Sequence, residues 1–158
     1  MARRPAKTDD GVKVLLRNRR ATHDYAIEER VEAGIALTGS EVKSLRDQRA
    51  SIAEGFVTIR GREAWLVGVQ INEYPWAHQL NHDPTRERKL LLHRREIDRL
   101  DTRLNQRGYA LVPLSVYVKN GKIKLEIGVG RGKKLYEKRE SLKETEAKRE
   151  IDRALKRR

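Results

Sequence analysis

Residues 110–119 and 122–129 alternate polar and apolar side chains on either side of Asn120-Gly121. Asn-Gly between two alternating stretches is the strongest short-range hairpin signal, because a two-residue turn needs positive φ at both positions and these residues tolerate it best. The end of the chain's middle portion is thereby committed to antiparallel β-structure, and the rest must supply partner strands. Between Tyr25 and Leu37 the apolar residues Tyr25, Ile27, Val31, Ile35 and Leu37 fall mostly on odd positions, which predicts a strand bent or bulged near Gly34. Residues 55–59 and 64–71 read as two further strands joined by a turn at Arg60-Gly61-Arg62.

Helical signals separate these strands. Thr38-Gly39-Ser40-Glu41 has the form of a helix start, with Val42 and Leu45 following at helical spacing. Within 92–108, Ile97, Leu100 and Leu104 predict an amphipathic helix closed by Gly108. Residues 72–85 hold two prolines and two of the four histidines and are expected to form a long loop. Five or six short antiparallel strands with two or three flanking helices predict a mainly β, α+β fold, a small closed barrel.

Charge divides the chain into three. Residues 1–20 carry seven basic and two acidic side chains, residues 131–158 carry twelve and six, and residues 21–130 are nearly balanced at seventeen and fifteen. Eleven of the net thirteen positive charges therefore lie at the two ends. The expected organisation is a basic N-terminal arm (1–20), a folded domain (21–130) and a basic C-terminal tail (131–158). The tail has too few apolar side chains to repay the entropy of ordering, so it is expected to be disordered until bound. Glu144 with Lys148 and Asp152 with Lys156 are spaced for an exposed helix formed against a polyanion. Nucleic acid is the favoured partner, since each neutralised phosphate releases counterions. A membrane surface would ask for a basic helix with a strong apolar face and Trp or Phe, and the tail has neither aromatic. The chain has no cysteine, no apolar run long enough to span a bilayer and no secretory signal, which predicts a cytoplasmic location.

Catalytic and cofactor motifs are not recognisable. Gly128-Val129-Gly130-Arg131-Gly132-Lys133-Lys134 fails as a phosphate loop, because Ile127 stands where the first glycine belongs and Lys134 where Ser or Thr belongs. It reads instead as a flexible cationic exit from the last strand. His78 and His82 are four apart but lack an evident third ligand, so no metal site is expected. No serine lies in a nucleophile elbow and no pair of carboxylates is placed for acid–base work, so neither enzyme activity nor a cofactor is expected.

The segment His82-Asp83-Pro84-Thr85-Arg86-Glu87-Arg88-Lys89 joins a rigid turn to three cations. Pro84 fixes the backbone, lowering the entropy lost if Arg86 or Arg88 grips a phosphate. Leu90-Leu91-Leu92 follow. They fit either a strand or helix start buried on both sides, or a strand with one leucine left exposed to pack on a base. Trp65 is expected in the core. Trp76 suits loop anchoring better than base stacking.

Six stretches together resemble the SsrA-binding protein family, also called small protein B, the bacterial partner of transfer-messenger RNA. They are Asn18-Arg19-Arg20-Ala21-Thr22-His23-Asp24-Tyr25, Glu32-Ala33-Gly34-Ile35-Ala36-Leu37-Thr38-Gly39, Ser40-Glu41-Val42-Lys43-Ser44-Leu45-Arg46, Asn81-His82-Asp83-Pro84-Thr85-Arg86, Arg88-Lys89-Leu90-Leu91-Leu92-His93 and Gly132-Lys133-Lys134. The resemblance implies a non-enzymatic RNA-binding protein on an OB-like barrel. It would bind the tRNA-like domain of transfer-messenger RNA and deliver it to stalled ribosomes for trans-translation, with elongation factor Tu and alanyl-tRNA synthetase as partners through the shared RNA. It implies RNA contacts at Glu32, Leu91 and His93, and within the shared stretches at Arg20, His23, Lys43, Arg46, Asn81, Asp83, Arg86, Arg88 and Lys89. Glu32 is expected to accept from sugar hydroxyls or base amines, or to orient Lys43 or Arg46.

For the tail, the resemblance implies that Gly132, Lys133 and Lys134 form the hinge and start of a ribosome-binding segment. That segment would enter the empty mRNA channel from the decoding centre and become helical there. Tyr136 stands where a relative has His, and both can stack on a small-subunit rRNA base. Glu137-Lys138-Arg139 stands where the family reads Asp-Lys-Arg. The other reading is a general RNA-binding or ribosomal protein whose tails thread rRNA. It predicts that affinity collapses with the tail, whereas the rescue reading predicts that transfer-messenger RNA binding survives its removal.

Overall fold

The hairpin forms as expected. Asn120 (φ 52°) and Gly121 (φ 76°) make a tight turn between Tyr109–Lys119 and Lys122–Gly132. The computed structural model describes residues 11–156. In chain order its elements are β1 (Val12–Arg17), α1 (Arg19–Asp24), β2 (Tyr25–Ile35), α2 (Gly39–Arg46), β3 (Ala50–Ser51), β4 (Phe56–Arg60), β5 (Glu63–Val67), β6 (Gln70–Ile71), β7 (Arg88–Leu91), α3 (Arg94–Leu104), β8 (Tyr109–Lys119), β9 (Lys122–Gly132) and α4 (Leu135–Lys156). A short 3-10 turn, His78–Leu80, interrupts the long loop.

The main sheet runs β1-β8-β4-β5-β7-β2-β9 and closes through β8–β9, so six strands form a ring and β1 adds to the outside edge of β8. Closure depends on β2 pairing on both sides: Gly34 lies opposite Lys124 of β9 and also opposite Leu91 of β7. Inward-facing Leu66, Leu90, Leu111, Leu125, Ile127 and Val129 are almost fully buried, joined by Leu15 from β1 and Leu100 from α3. The mixed α+β fold expected from the sequence is the one observed.

Several expectations are corrected. The N-terminal arm does not extend to residue 20: Val12–Arg17 is a strand paired with β8, and Leu15 enters the core. Residues 1–10 of that arm lie outside the described residues. The bulge in β2 falls between Ile27 and Glu29, not near Gly34. An extra residue turns the strand, and the successive acids Glu28 and Glu29 both pair with α3, with Arg103 (2.5 Å) and Arg99 respectively. The strand expected over 64–71 breaks at Gly68 (φ 76°). Helix α3 ends at Leu104, before Gly108. Trp65 is not in the core: Ala64 and Leu66 point inward, and Trp65 faces out beneath the Arg60 guanidinium at 5.6 Å.

The glycine-rich exit is strand rather than flexible link. β9 continues through Gly132, and Gly128 and Gly130 are buried. A Cβ at Gly128 would meet Leu114 at 2.9 Å, and one at Gly130 would meet the Ala26 carbonyl oxygen at 2.5 Å. These glycines let strands and side chains approach closely. Beyond β9 the tail residues Leu135–Lys156 form a 22-residue helix. Its described residues from Arg139 onward are exposed, so no core face supports that stretch.

Candidate nucleic-acid interface

β7 carries the alternation that places the interface. Arg88 and Leu90 point inward and Lys89 and Leu91 outward. Leu91 is 55% exposed, beside a fully buried Leu90. Gly34 makes room for it, since a Cβ there would meet the Leu91 Cβ at 3.1 Å. His93 follows as the N-cap of α3 and is exposed. Across the strands, Glu32 stands on β2. The three residues share an open cleft of about 580 Å³, lined also by the cations Arg62, Lys89 and Lys124 and the acids Glu63 and Glu96, with Lys89 Nζ 3.2 Å from Glu63.

Glu32 also lines a second cleft of about 890 Å³, with Arg17, Arg19, Arg30, Tyr117 and Lys119. The Tyr117 hydroxyl donates to the Glu32 carboxylate, and Lys119 Nζ lies 3.4 Å from the same oxygen. The tyrosine hydrogen bond, helped by Lys119 and Lys124 against partial burial, holds the Glu32 carboxyl below its ordinary value. Burial and the Glu32 charge push the Tyr117 phenol up. Glu32 is therefore an anion at neutral pH, fixed from one side and open to donors from the other. An apolar Leu91, a fixed acceptor and surrounding cations together suit a ribose and base edge with its phosphates.

The cation expected to be oriented by Glu32 is corrected: it is Lys119, beside the Tyr117 hydroxyl, while Lys43 and Arg46 lie on α2 and line neither cleft. Sequence reasoning missed Tyr117 and Lys119, although their positions two apart on an alternating strand put them on one face.

The cations expected on phosphate are also corrected. Arg88 is completely buried; its Nε donates to Glu41 at 2.6 Å and its other nitrogens to the carbonyls of Val69, Pro84 and Asp83. Arg86 donates to Glu41 as well and to the Ala36 carbonyl at 3.1 Å. Burial raises the Glu41 carboxyl, but hydrogen bonds from Arg86, the Thr38 backbone and Arg88 outweigh it and hold it below the ordinary range. This charge cluster locks α2 to the start of β7. Asp83 is spent on the Thr85 amide and hydroxyl, and the Asn81 amide clasps the Tyr74 backbone at 2.8 and 2.9 Å. His82 is a structural histidine: Nε2 donates to the Ile71 carbonyl and Nδ1 is hydrogen-bonded to the Ser40 hydroxyl, each at 2.8 Å. No cluster suited to a metal ion occurs among the described residues.

A third group gathers where α1 meets the tail. Asp24 faces His23 (2.8 Å), Arg20 (3.4 Å) and Lys138 (3.7 Å). The His23 hydrogen bond, with the Lys138 and Arg20 charges, lowers its carboxyl against the effect of burial. Lys133 Nζ donates to the Thr22 carbonyl, and Arg131 lies 3.9 Å from Glu137. Gly132 ends β9 opposite Tyr25, and Lys134 and Arg139 are exposed. The Tyr136 side chain lies outside the described residues. Lys133 and Lys138 thus hold the start of the tail to Thr22 and Asp24 of α1, Glu137 holds it to Arg131, and Arg20 (paired also with Glu54 at 2.7 Å) and His23 flank Asp24; none of these five lines either cleft around Glu32.

Comparison with known proteins follows this geometry. A family model described as SmpB protein matches residues 15–157. A protein of Thermobifida fusca named SsrA-binding protein is 54% identical over 148 residues, 94% of this chain and 92% of its own. One of Oceanobacillus iheyensis with the same name is 52% identical over 145 residues, 91% of this chain and 94% of its own. A solved chain from work on tmRNA-SmpB in the bacterial ribosome superposes with a TM-score of 0.66 at 44% identity, covering 78% of this chain and 87% of that one.

Proposed function

The chain belongs to the SmpB, or SsrA-binding, protein family, and on that premise we propose that it binds transfer-messenger RNA and carries it to stalled ribosomes for trans-translation. The observation that carries this reading is the cleft in which Glu32 of β2 meets Leu91 and His93, remote from it in sequence, on one barrel face beside Arg62, Lys89 and Lys124. The tRNA-like domain of the RNA occupies that face. Leu91 packs on a base or sugar, the Glu32 carboxylate accepts from hydroxyl or amine donors, and Arg62, Lys89 and Lys124 meet phosphates. The protein acts by positioning, without catalysing a reaction. Elongation factor Tu and alanyl-tRNA synthetase are met through the same RNA, in the cytoplasm.

The tail is assigned a separate task. With twelve cations over residues 131–158, the tail follows the mRNA channel of the small subunit when no message fills it, and Lys133 and Lys138 exchange Thr22 and Asp24 for rRNA phosphates.

Paired titrations test this. Transfer-messenger RNA and an elongator tRNA are titrated at low and moderate salt, against the intact chain and one ending at Lys134. A strong, similar preference for transfer-messenger RNA by both proteins is expected, weakened about tenfold or more by Leu91→Ala or Glu32→Gln. A preference that disappears with the tail would leave only counterion release and overturn the assignment.

A further inference from the structure

We propose that the loop after β6 carries a second RNA site, a stacking platform for one unpaired base formed by Trp76 and Tyr74 and flanked by Arg49 and Lys43. It rests on the reading of the chain as an RNA-binding protein and adds a contact outside the Glu32–Leu91 face, since none of these four residues lines the two clefts there.

Trp76 does not anchor its loop. It is 66% exposed, which is unusual for a residue whose large apolar surface favours burial. Its ring meets Tyr74 edge to face, with centroids 5.1 Å apart and planes at 60°. The Arg49 guanidinium lies 5.9 Å from the Trp76 ring centre, and Lys43 Nζ lies 5.5 Å from that of Tyr74. An exposed Trp76, a half-buried Tyr74 and two exposed cations are thus gathered together at the surface. Sequence-tolerant binding of unpaired bases has these components: a ring to stack on and positive charge for the adjoining phosphate.

The loop is also built to hold the rings still. Asn81 fixes both backbone polar groups of Tyr74, the Ala77 amide closes a turn onto the Tyr74 carbonyl at 3.1 Å, and Ser44 of α2 donates to the Asn72 carbonyl at 2.7 Å. The Asn72 amide in turn donates to the Arg49 carbonyl at 2.9 Å, tying the loop to the segment that carries one of the cations. A platform ordered before binding loses little entropy on binding. Charge beside both rings favours a polyanion over an apolar protein surface. The shared chemistry, an unpaired base with its phosphate, is offered by transfer-messenger RNA and by ribosomal RNA alike.

The chain has two tryptophans, so Trp65→Phe leaves Trp76 as the sole tryptophan reporter. The intact chain with this change is titrated with transfer-messenger RNA and, separately, with vacant bacterial ribosomes. Trp76 fluorescence is expected to be quenched in at least one arm, and that arm identifies the source of the base. In the same arm Trp76→Ala weakens binding roughly tenfold or more, whereas Trp76→Phe, which keeps a ring, restores most of the affinity. Unchanged fluorescence in both arms while both RNAs bind overturns the platform and leaves the Glu32–Leu91 site standing. So does equal loss on Trp76→Phe and Trp76→Ala. If neither RNA binds the intact chain, both proposals fall.

Discussion

Arg88 Nε donates to Glu41 Oε2 at 2.6 Å, and neither side chain has any solvent exposure. Removing one member strands the other charge in the interior, at a cost of about 3–5 kcal/mol. Glu41→Ala is therefore expected to lose most of the chain's stability in urea unfolding. Arg86→Ala costs less, because Arg86 is 32% exposed and water can replace it. The double change Glu41→Leu with Arg88→Met recovers much of the loss, since a buried pair often exchanges for apolar groups of like volume at little cost. A single change at Glu41 that left the urea midpoint unmoved would remove this pair as the clamp between α2 and β7.

Gly130 faces the Ala26 carbonyl oxygen across the β2–β9 ladder, while Gly132 has open space where a Cβ would stand. Gly130→Ala forces two backbones apart and is expected to cost several degrees of melting temperature. Gly132→Ala, two residues along the same strand, is expected to stay near wild type. Equal effects would mean that close approach is not what these glycines serve.

These two sites show what the sequence makes legible. The Asn120-Gly121 hairpin, the Thr38–Glu41 helix start and the Ile97–Leu104 helix rest on patterns a few residues long, and each appears in the structure. The β1 signal was present as alternation at Val12, Val14 and Leu16 but was masked by the basic composition around it. Arg88 could not be placed, because its inward direction depends on the β7 register and on Glu41 forty-seven positions earlier. The glycines of β9 resembled a loop because their partners, Ala26 and Leu114, are brought up only by the closed sheet. Of the candidate site, Glu32, Leu91 and His93 were found through the family resemblance. Tyr117 and Lys119, which complete the environment of Glu32, follow from cross-strand register.

Glu32 supplies a pH test. Its carboxyl sits below the ordinary 4.5, chiefly through the Tyr117 hydroxyl. A depressed native value means that the folded state binds fewer protons than the unfolded one. The stabilisation is then complete above the unfolded value and is lost as pH falls through the folded value. Tyr117→Phe should move the Glu32 carboxyl titration, followed by carbon NMR, upward toward 4.5, and should flatten the acid limb of the stability curve. A Glu32 titration indifferent to Tyr117→Phe would assign the depression to Lys119 and Lys124 instead.

Asp24 joins α1 to the helical tail through Lys138, with His23 and Arg20 on the same carboxylate. Asp24→Asn keeps the shape and removes the charge. Amide hydrogen exchange in the first turns of α4 should then quicken, while β8 and β9 keep their protection. If the protection of residues 137–140 were unchanged, the Lys133 contact to Thr22 would suffice to hold the tail.

The boundary between barrel and tail gives the last prediction. Charge alone divides the chain after Gly130, but β9 runs on: Arg131 pairs with Ala26 on one side and Tyr109 on the other, and Gly132 pairs with Tyr25. Ending the chain at Gly130 strips ladder hydrogen bonds from two strands that help close the ring, and it removes the Lys133 amide that donates to the Asp24 carbonyl at 2.9 Å. Ending it at Lys134 removes α4 and leaves the ladder whole. The shorter chain is expected to melt several degrees below the longer one, and the longer one to match the intact protein, because α4 touches the barrel through few contacts. A difference in RNA binding between the two truncated chains then reports barrel integrity rather than loss of the tail. Equal melting of the two would show that the last two residues of β9 contribute nothing to closure.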